Sequence, residues 1–375
     1  MSDVVYKKLA AHLDDLPGGF PSTESGVELK ILKKLFSPEE AALAVKLTLI
    51  PEEAYVIAHR AGENIDKVKE KLHEMSRKGL IYSIEKPGKA PLYMAAQYVV
   101  GIWEFHVNDL DEEFVRLSNE YFPYLVDADA WKASPQLRTI PVSRSLDPGH
   151  HSLPYEDAAT LVKGHRRYAV AECICRKEHK LVGKGCEKPM EACLVFDTAA
   201  DYYLRNGLAR EIDEAETLKI LEEGERAGLV VQPSNSQKAI NICLCCGCCC
   251  QVLIAMKKHP DPAELFSSAY IVEVDADECV GCEVCIGRCQ MEALTMNEGV
   301  VSLEQKRCIG CGLCVTTCPT KALNLKRKDI VPEVPRSNTE AAIKLAKARG
   351  KLSNAKMAKM ALKSKFDRLM AASKR

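Results

Sequence analysis

The chain has 375 residues, 47% of them hydrophobic, and no net charge, which is length for two or three domains with ordinary buried cores. The opening stretch from Met1 to Ala10 lacks the apolar run of a secretory leader, and no segment approaches the ~18 uninterrupted apolar residues of a membrane helix. A cytoplasmic protein is expected, and there the 18 cysteines, all between Cys173 and Cys318, argue for metal ligation rather than a disulfide framework.

Residues 1–125 hold no cysteine and are predicted to be mostly helical. Val27 to Phe36 has Val27, Leu29, Ile31, Leu32 and Leu35 partly at helical spacing. Ser37-Pro38-Glu39-Glu40 is a helix start, with Ser at the N-cap, Pro at the first helical position and acids in the first turn. Pro51-Glu52-Glu53 reads as a second such start. A third helix, Asn64 to Lys78, carries Ile65, Val68, Leu72 and Met75 on one face and ends at Gly79. Leu80 to Ile84, a Lys86-Pro87-Gly88-Lys89 turn and Pro91 to Met94 read as a two-stranded hairpin. Three helices followed by a hairpin resemble a winged helix domain. That resemblance implies a DNA-binding reading, but the third helix sets Lys67, Lys69, Lys71, Arg77 and Lys78 against Asp66, Glu70 and Glu74. A DNA-reading helix needs a basic face to displace counterions, so a protein-docking or structural role is favoured over nucleic acid.

A helix from Asp111 to Tyr121 closes this part, and residues 126–160 read as an irregular connection. The middle of the chain, 126–268, is rich in cysteine. Its clearest helix is Asp213 to Ala227, with Asp213 as cap, Glu216 three residues on and Gly228 as stop. Cys173, Cys175, Cys186 and Cys193 fall within 21 residues and are taken as one candidate centre, for a third cluster or for zinc. Cys243, Cys245, Cys246, Cys248, Cys249 and Cys250 put six thiols in eight residues. They cannot all face one cube, so some are expected to complete the first group and some to stay free. Cys245-Cys246-Gly247 resembles the paired-cysteine motif of heterodisulfide-reductase-like subunits, which implies an unusual cluster or a redox-active thiol pair. His150, His151 and His165 precede these cysteines and are expected to be loop or core residues, since nearer thiols compete for any metal.

The last third repeats one pattern. Cys279, Cys282, Cys285 and Cys289 form a C-x2-C-x2-C-x3-C run, and Cys308, Cys311, Cys314 and Cys318 form it again, displaced by 29 residues at each cysteine. Thiolates at this spacing hold [4Fe–4S] clusters. Zinc favours two separated C-x2-C pairs and not a third cysteine two residues further on. The three close cysteines wrap one face of a cube, and the fourth lies too far along to close it comfortably. About 55 residues resemble the two-cluster bacterial ferredoxins. The resemblance implies crossed ligation, with Cys279, Cys282, Cys285 and Cys318 on one cluster and Cys308, Cys311, Cys314 and Cys289 on the other. Glu292-Ala293-Leu294 matches Lys321-Ala322-Leu323, as an internal repeat requires. One departure stands out: Pro319 follows the last cysteine of the second run, whereas Gln290 takes that place in the first.

Beyond residue 328 comes a proline-containing linker and then a basic tail. From Arg336 to Arg375 there are 12 Lys and Arg against Glu340 and Asp367, so the rest of the chain is acidic. The tail is expected to be a helix with an apolar stripe of Leu362, Phe366, Leu369 and Met370, either solvated or a docking arm for an acidic partner.

The expected architecture is α+β and multidomain: a winged-helix-like helical domain (1–125), an irregular Cys-rich middle (126–268), a ferredoxin-type double-cluster domain (269–328) and a helical tail (329–375). No G-x-G-x-x-G or G-x4-G-K-[ST] motif and no catalytic triad or carboxylate pair is present, so electrons should come from and go to redox partner proteins. The reading is an electron carrier, or an electron-transfer subunit of an oxidoreductase complex, from an anaerobe or microaerobe. The alternatives are a redox- or iron-sensing winged-helix regulator, and a catalytic oxidoreductase subunit that uses the middle cysteines.

Overall fold

The computed structural model describes residues 2–146 and 153–373, and the pair His150–His151 lies outside them. Helix and strand are mixed, as the α+β expectation has it. Two units are present. One gathers Met1–Asp127, Asp201–Leu208 and Ala342–Arg375, and the other gathers Ala128–Ala200 and Ala209–Ala341. The Cys-rich middle and the ferredoxin-type segment, expected as separate domains, therefore share one unit.

In the first unit, helices Val27–Leu35, Pro38–Ala44, Ala54–Ala61 and Ile65–Arg77 precede the hairpin Tyr82–Ile84 with Leu92–Met94. Ser37 and Glu40 make the expected reciprocal cap: the Glu40 N–H donates to the Ser37 hydroxyl and the Ser37 N–H to the Glu40 carboxylate. Asn64 caps the next helix through the N–H groups of Asp66 and Lys67. Glu52 and Glu53 do not open a helix. They pair with Tyr93 and Leu92 as a third strand on the hairpin, and the helix begins at Ala54. Glu52 is buried and takes Arg60 as its cation at 2.9 Å.

The basic tail forms Asn338–Ala348 and Asn354–Ala372. The second helix is not a free arm, because it lies against Ala54–Ala61. Asp367 meets Arg60 at 2.8 Å, and the Ser364 hydroxyl donates to Glu52 at 2.6 Å. Its buried face is thus Ser364, Asp367 and Ala371, while Leu362, Phe366, Leu369 and Met370 are exposed. The stripe points the opposite way from what hydrophobicity alone predicts, because the partly buried Arg60, paired with Glu52 and Asp367, draws the polar face inward.

The second unit holds an antiparallel sheet in the order Arg210–Ile212, Tyr168–Glu172, Glu191–Phe196, Asn241–Cys245, Val230–Pro233. Helix Glu214–Arg226, capped by Asp213 through the Glu216 N–H, packs on it. Gly224 lets that helix sit on Leu244: a Cβ there would lie 2.8 Å from Leu244 Cδ1. Alternation along the strand then puts Cys243 and Cys245 on the opposite face. Past the sheet, Tyr270–Val274 pairs with Leu323–Arg327 and Leu294–Asn297 pairs with Val300–Leu303 around a small core that includes Val272, Leu294, Val301 and Leu323. The connection after residue 128 is stitched to both parts. Ile140 N–H donates to Val231 O at 3.2 Å, and Val142 N–H to Cys311 O at 3.0 Å.

Candidate metal centres

The 29-residue repeat is carried by the backbone as well as by the cysteines. Gly281 and Gly310 have φ of 67° and 65°, and Glu292 and Lys321 have φ of 56° and 61°. A left-handed non-glycine residue is uncommon, so its recurrence at one displacement marks two copies of one loop. Each glycine sits where no side chain fits. A Cβ at Gly310 would lie 2.1 Å from Tyr270 O, and one at Gly281 would lie 2.7 Å from Gly299 O.

These loops bring the eight cysteines to two cavities. One is lined by Cys279, Cys282, Cys285 and Cys318, with Val280, Met296, Val301 and Leu323. The other is lined by Cys289, Cys308, Cys311 and Cys314, with Val272, Leu294 and Leu313. Each therefore draws three cysteines from one run and the last from the other. The Ala293 N–H donates to Cys289 Sγ at 3.2 Å, and the Ala322 N–H donates to Cys318 at the matching position. Such N–H to sulfur bonds stabilise thiolate charge and raise a cluster's potential.

The cavities differ in exposure. Cys282 is exposed and Val280 beside it is 65% exposed, whereas Cys308 and Cys314 are buried. Burial pushes the Cys308 and Cys314 thiols up and the Cys311 thiol up to about 12. At Cys318 burial works the other way to the net effect: the Thr320 hydroxyl and the N–H groups of Thr320, Leu323 and Ala322 outweigh it and lower the thiol.

The ten middle cysteines fall into two sets that differ from the sequence grouping. Cys186 stands with Cys246, Cys248 and Cys249, all four sulfurs within 4.8 Å of one another. Cys173, Cys175 and Cys193 join Cys243, Cys245 and Cys250 in a string of thiol contacts, running Cys173, Cys175, Cys250, Cys245, Cys243, Cys193. Sheet register explains the string, since Cys193 lies opposite Cys243 across neighbouring strands. Cys250 is the N-cap of helix Gln251–Lys257. Hydrogen bonds from Cys175 and Cys245, then from the Leu253 and Val252 N–H groups, draw it well below the usual thiol range. Six thiols exceed the four positions of one tetrahedral ion, so this set suits a polynuclear centre or dithiol chemistry.

Arg176 is the cation between the two sets. It is buried, donates to Leu244 O at 3.0 and 3.1 Å, and reaches Cys246 Sγ at 3.8 Å. Burial opposes its charge, and Cys173, Cys246 and Cys245 outweigh burial and hold it protonated. His165 is a structural residue, bonded to Asp197 at 2.9 Å and stacked on Phe196.

Gln290, the departure from the ferredoxin pattern, is where the middle meets the double run. Its Oε1 accepts from the Gly247 N–H at 2.8 Å, and its Nε2 donates to Arg288 O at 3.2 Å. A Cβ on Gly247 would lie 2.2 Å from Gln290 O. Arg288 in turn donates to the carbonyls of Arg226 and Glu225 at 2.7 and 2.6 Å, closing the C-terminus of helix Glu214–Arg226. Cys289 is thus flanked by two anchors onto the middle region. The substitution at 290 was visible in the sequence; its partner, 43 residues away, was not.

Residues 301–324 match the family model of the 4Fe-4S binding domain, a span that includes all four cysteines of the second run. No curated protein and no solved structure is significantly similar to the chain. The chain is an iron–sulfur protein with a ferredoxin-type segment, and electron transfer is its general role. No helix among the described residues is long and apolar enough to cross a membrane.

Proposed function

We propose that the protein relays single electrons between redox partner proteins through two [4Fe–4S] clusters, held by crossed ligand sets, and one further metal centre among the middle cysteines. The observation that carries this reading is the pair of similar cavities, each lined by three cysteines of one run and the last of the other. When bound, such clusters supply one-electron carriers of low potential. The chain's own residues do the rest. Eight thiolates hold the clusters, the Ala293 and Ala322 N–H groups steady the fourth sulfur of each run, and Val272, Leu294, Val301 and Leu323 keep water out.

Exposure supplies a direction. The set with Cys282 opens to solvent beside Val280 and is the face that meets a partner. The set with Cys289 has no exposed cysteine and is anchored to the middle region through Arg288 and Gln290, so the middle cysteines lie on its side of the relay. The helix–strand–helix–helix–hairpin order of the first unit supports a winged-helix-like module. Cations on its third helix are already engaged, Lys71 with Glu39 at 3.0 Å and Lys78 with Glu40 at 2.7 Å. That favours a protein-docking role over a DNA-sensing one.

The test is to count iron and acid-labile sulfide in anaerobically purified full-length protein. At least about eight of each per chain is expected. Fewer, with zinc in the missing iron's place, contradicts the reading.

A further inference from the structure

We infer that Cys186, Cys246, Cys248 and Cys249 form a closed site for one tetrahedral divalent ion, zinc, that is separate from the iron–sulfur centres. The geometry carries the assignment. Cys186 Sγ lies 3.9 Å from Cys246 Sγ and 3.7 Å from Cys249 Sγ, and Cys249 Sγ lies 3.8 Å from Cys248 Sγ. A regular tetrahedron with Zn–S bonds of about 2.3 Å has edges of about 3.8 Å. Thiolates of a cubane each bond a different iron and must stand further apart, around a space that admits the iron and sulfide. Among the described residues, the cysteines of the ferredoxin-type segment bring no three sulfurs that close together. Four sulfurs in mutual contact leave room for a single ion only.

The local fold builds the site. Residues 246–250 make the turn between strand Asn241–Cys245 and helix Gln251–Lys257, and the turn gathers three thiols. The fourth comes from the loop after helix Ile174–Leu181. That loop folds back over the helix, with the Lys184 N–H on His179 O at 2.8 Å and Gly185 so close that a Cβ would lie 2.8 Å from Lys180 Cα. The buried Arg176 at Cys246 offsets the surplus negative charge of four thiolates on a divalent ion. All four ligands are protein thiolates, the pattern of a structural zinc site, and zinc outcompetes ferrous iron for such a donor set.

The site has a consequence beyond itself. Gly247, whose N–H binds Gln290, lies between two of the four ligands. An ion here holds that turn in place and so fixes the middle region against the loop of Cys289.

The experiment measures zinc and iron together in full-length protein purified anaerobically, as wild type and as Cys186→Ser, Cys248→Ser and Cys173→Ser. About one zinc per chain is expected in the wild type and in Cys173→Ser. The zinc should be lost in the other two variants while their iron stays at the wild-type level. Cobalt(II) replacement in the wild type does not depend on any variant folding, and it should give the ligand-field bands of a tetrahedral thiolate site. Absence of zinc from the wild type, loss of iron in Cys186→Ser, a lone iron–thiolate spectrum that vanishes in Cys186→Ser, or cobalt bound without those bands would each overturn the inference.

Discussion

The ferredoxin-type segment and the Cys-rich middle use the same side chain in opposite ways. In the segment eight thiols, placed by loops that glycine and left-handed residues repeat at one displacement, line two pockets, and no three of their sulfurs group within 4.8 Å of one another. In the middle, thiols touch one another, four of them through contacts of 3.7 to 3.9 Å, placed by strand register and a single turn. The space left between sulfurs, more than their number, separates a cluster site from a one-ion site.

The sharpest way to break the comparison is to remove the space. Gly310→Ala puts a methyl 2.1 Å from Tyr270 O and asks alanine for a φ of +65°. Overpacking and left-handed strain together should cost roughly 2–5 kcal/mol, and iron should fall in step. Gly287→Ala in the helix Val284–Arg288 meets nothing within 4 Å and should be close to neutral, as denaturant titration of both variants would record. Next comes the seam between the regions. Gly247→Ala drives a methyl to 2.2 Å from Gln290 O and should cost about 1–3 kcal/mol. A thermal midpoint equal to wild type would show that the seam does not hold.

Gln290→Ala is milder. It leaves the Gly247 N–H without its acceptor, at a cost of roughly 1–2 kcal/mol, and it should leave the iron content unchanged. Loss of iron in this variant would mean that Gln290 supports the cluster loop itself and not the seam. The smallest effect is kinetic. Cys282 is exposed while Cys308 and Cys314 are buried, so air should bleach the protein in two phases, the faster belonging to the first set. A single phase would remove the asymmetry.

The double run was legible as a motif because its cysteines lie close together in the chain, and the family match covers the second run. The middle cysteines were not legible as sets. Cys186 sits between Cys175 and Cys193 in the chain, yet a folded-back loop carries it to Cys246, Cys248 and Cys249. Cys193 meets Cys243 only through sheet register. Helix caps at Ser37 and Asp213 were readable because a cap bonds within three residues. Glu52 and the tail stripe misled for one reason: the partly buried Arg60 takes Glu52 and Asp367 as partners, and Asp367 is 307 residues away in the chain.

The account stands or falls on whether the Cys186 set and the ferredoxin-type pockets hold different metals. Iron and zinc should be counted side by side in Cys311→Ser and Cys248→Ser. Cys311→Ser should lose about four irons and keep its zinc, while Cys248→Ser should lose its zinc and keep its iron. Loss of iron from both variants, with no zinc in either or in the wild type, would contradict it.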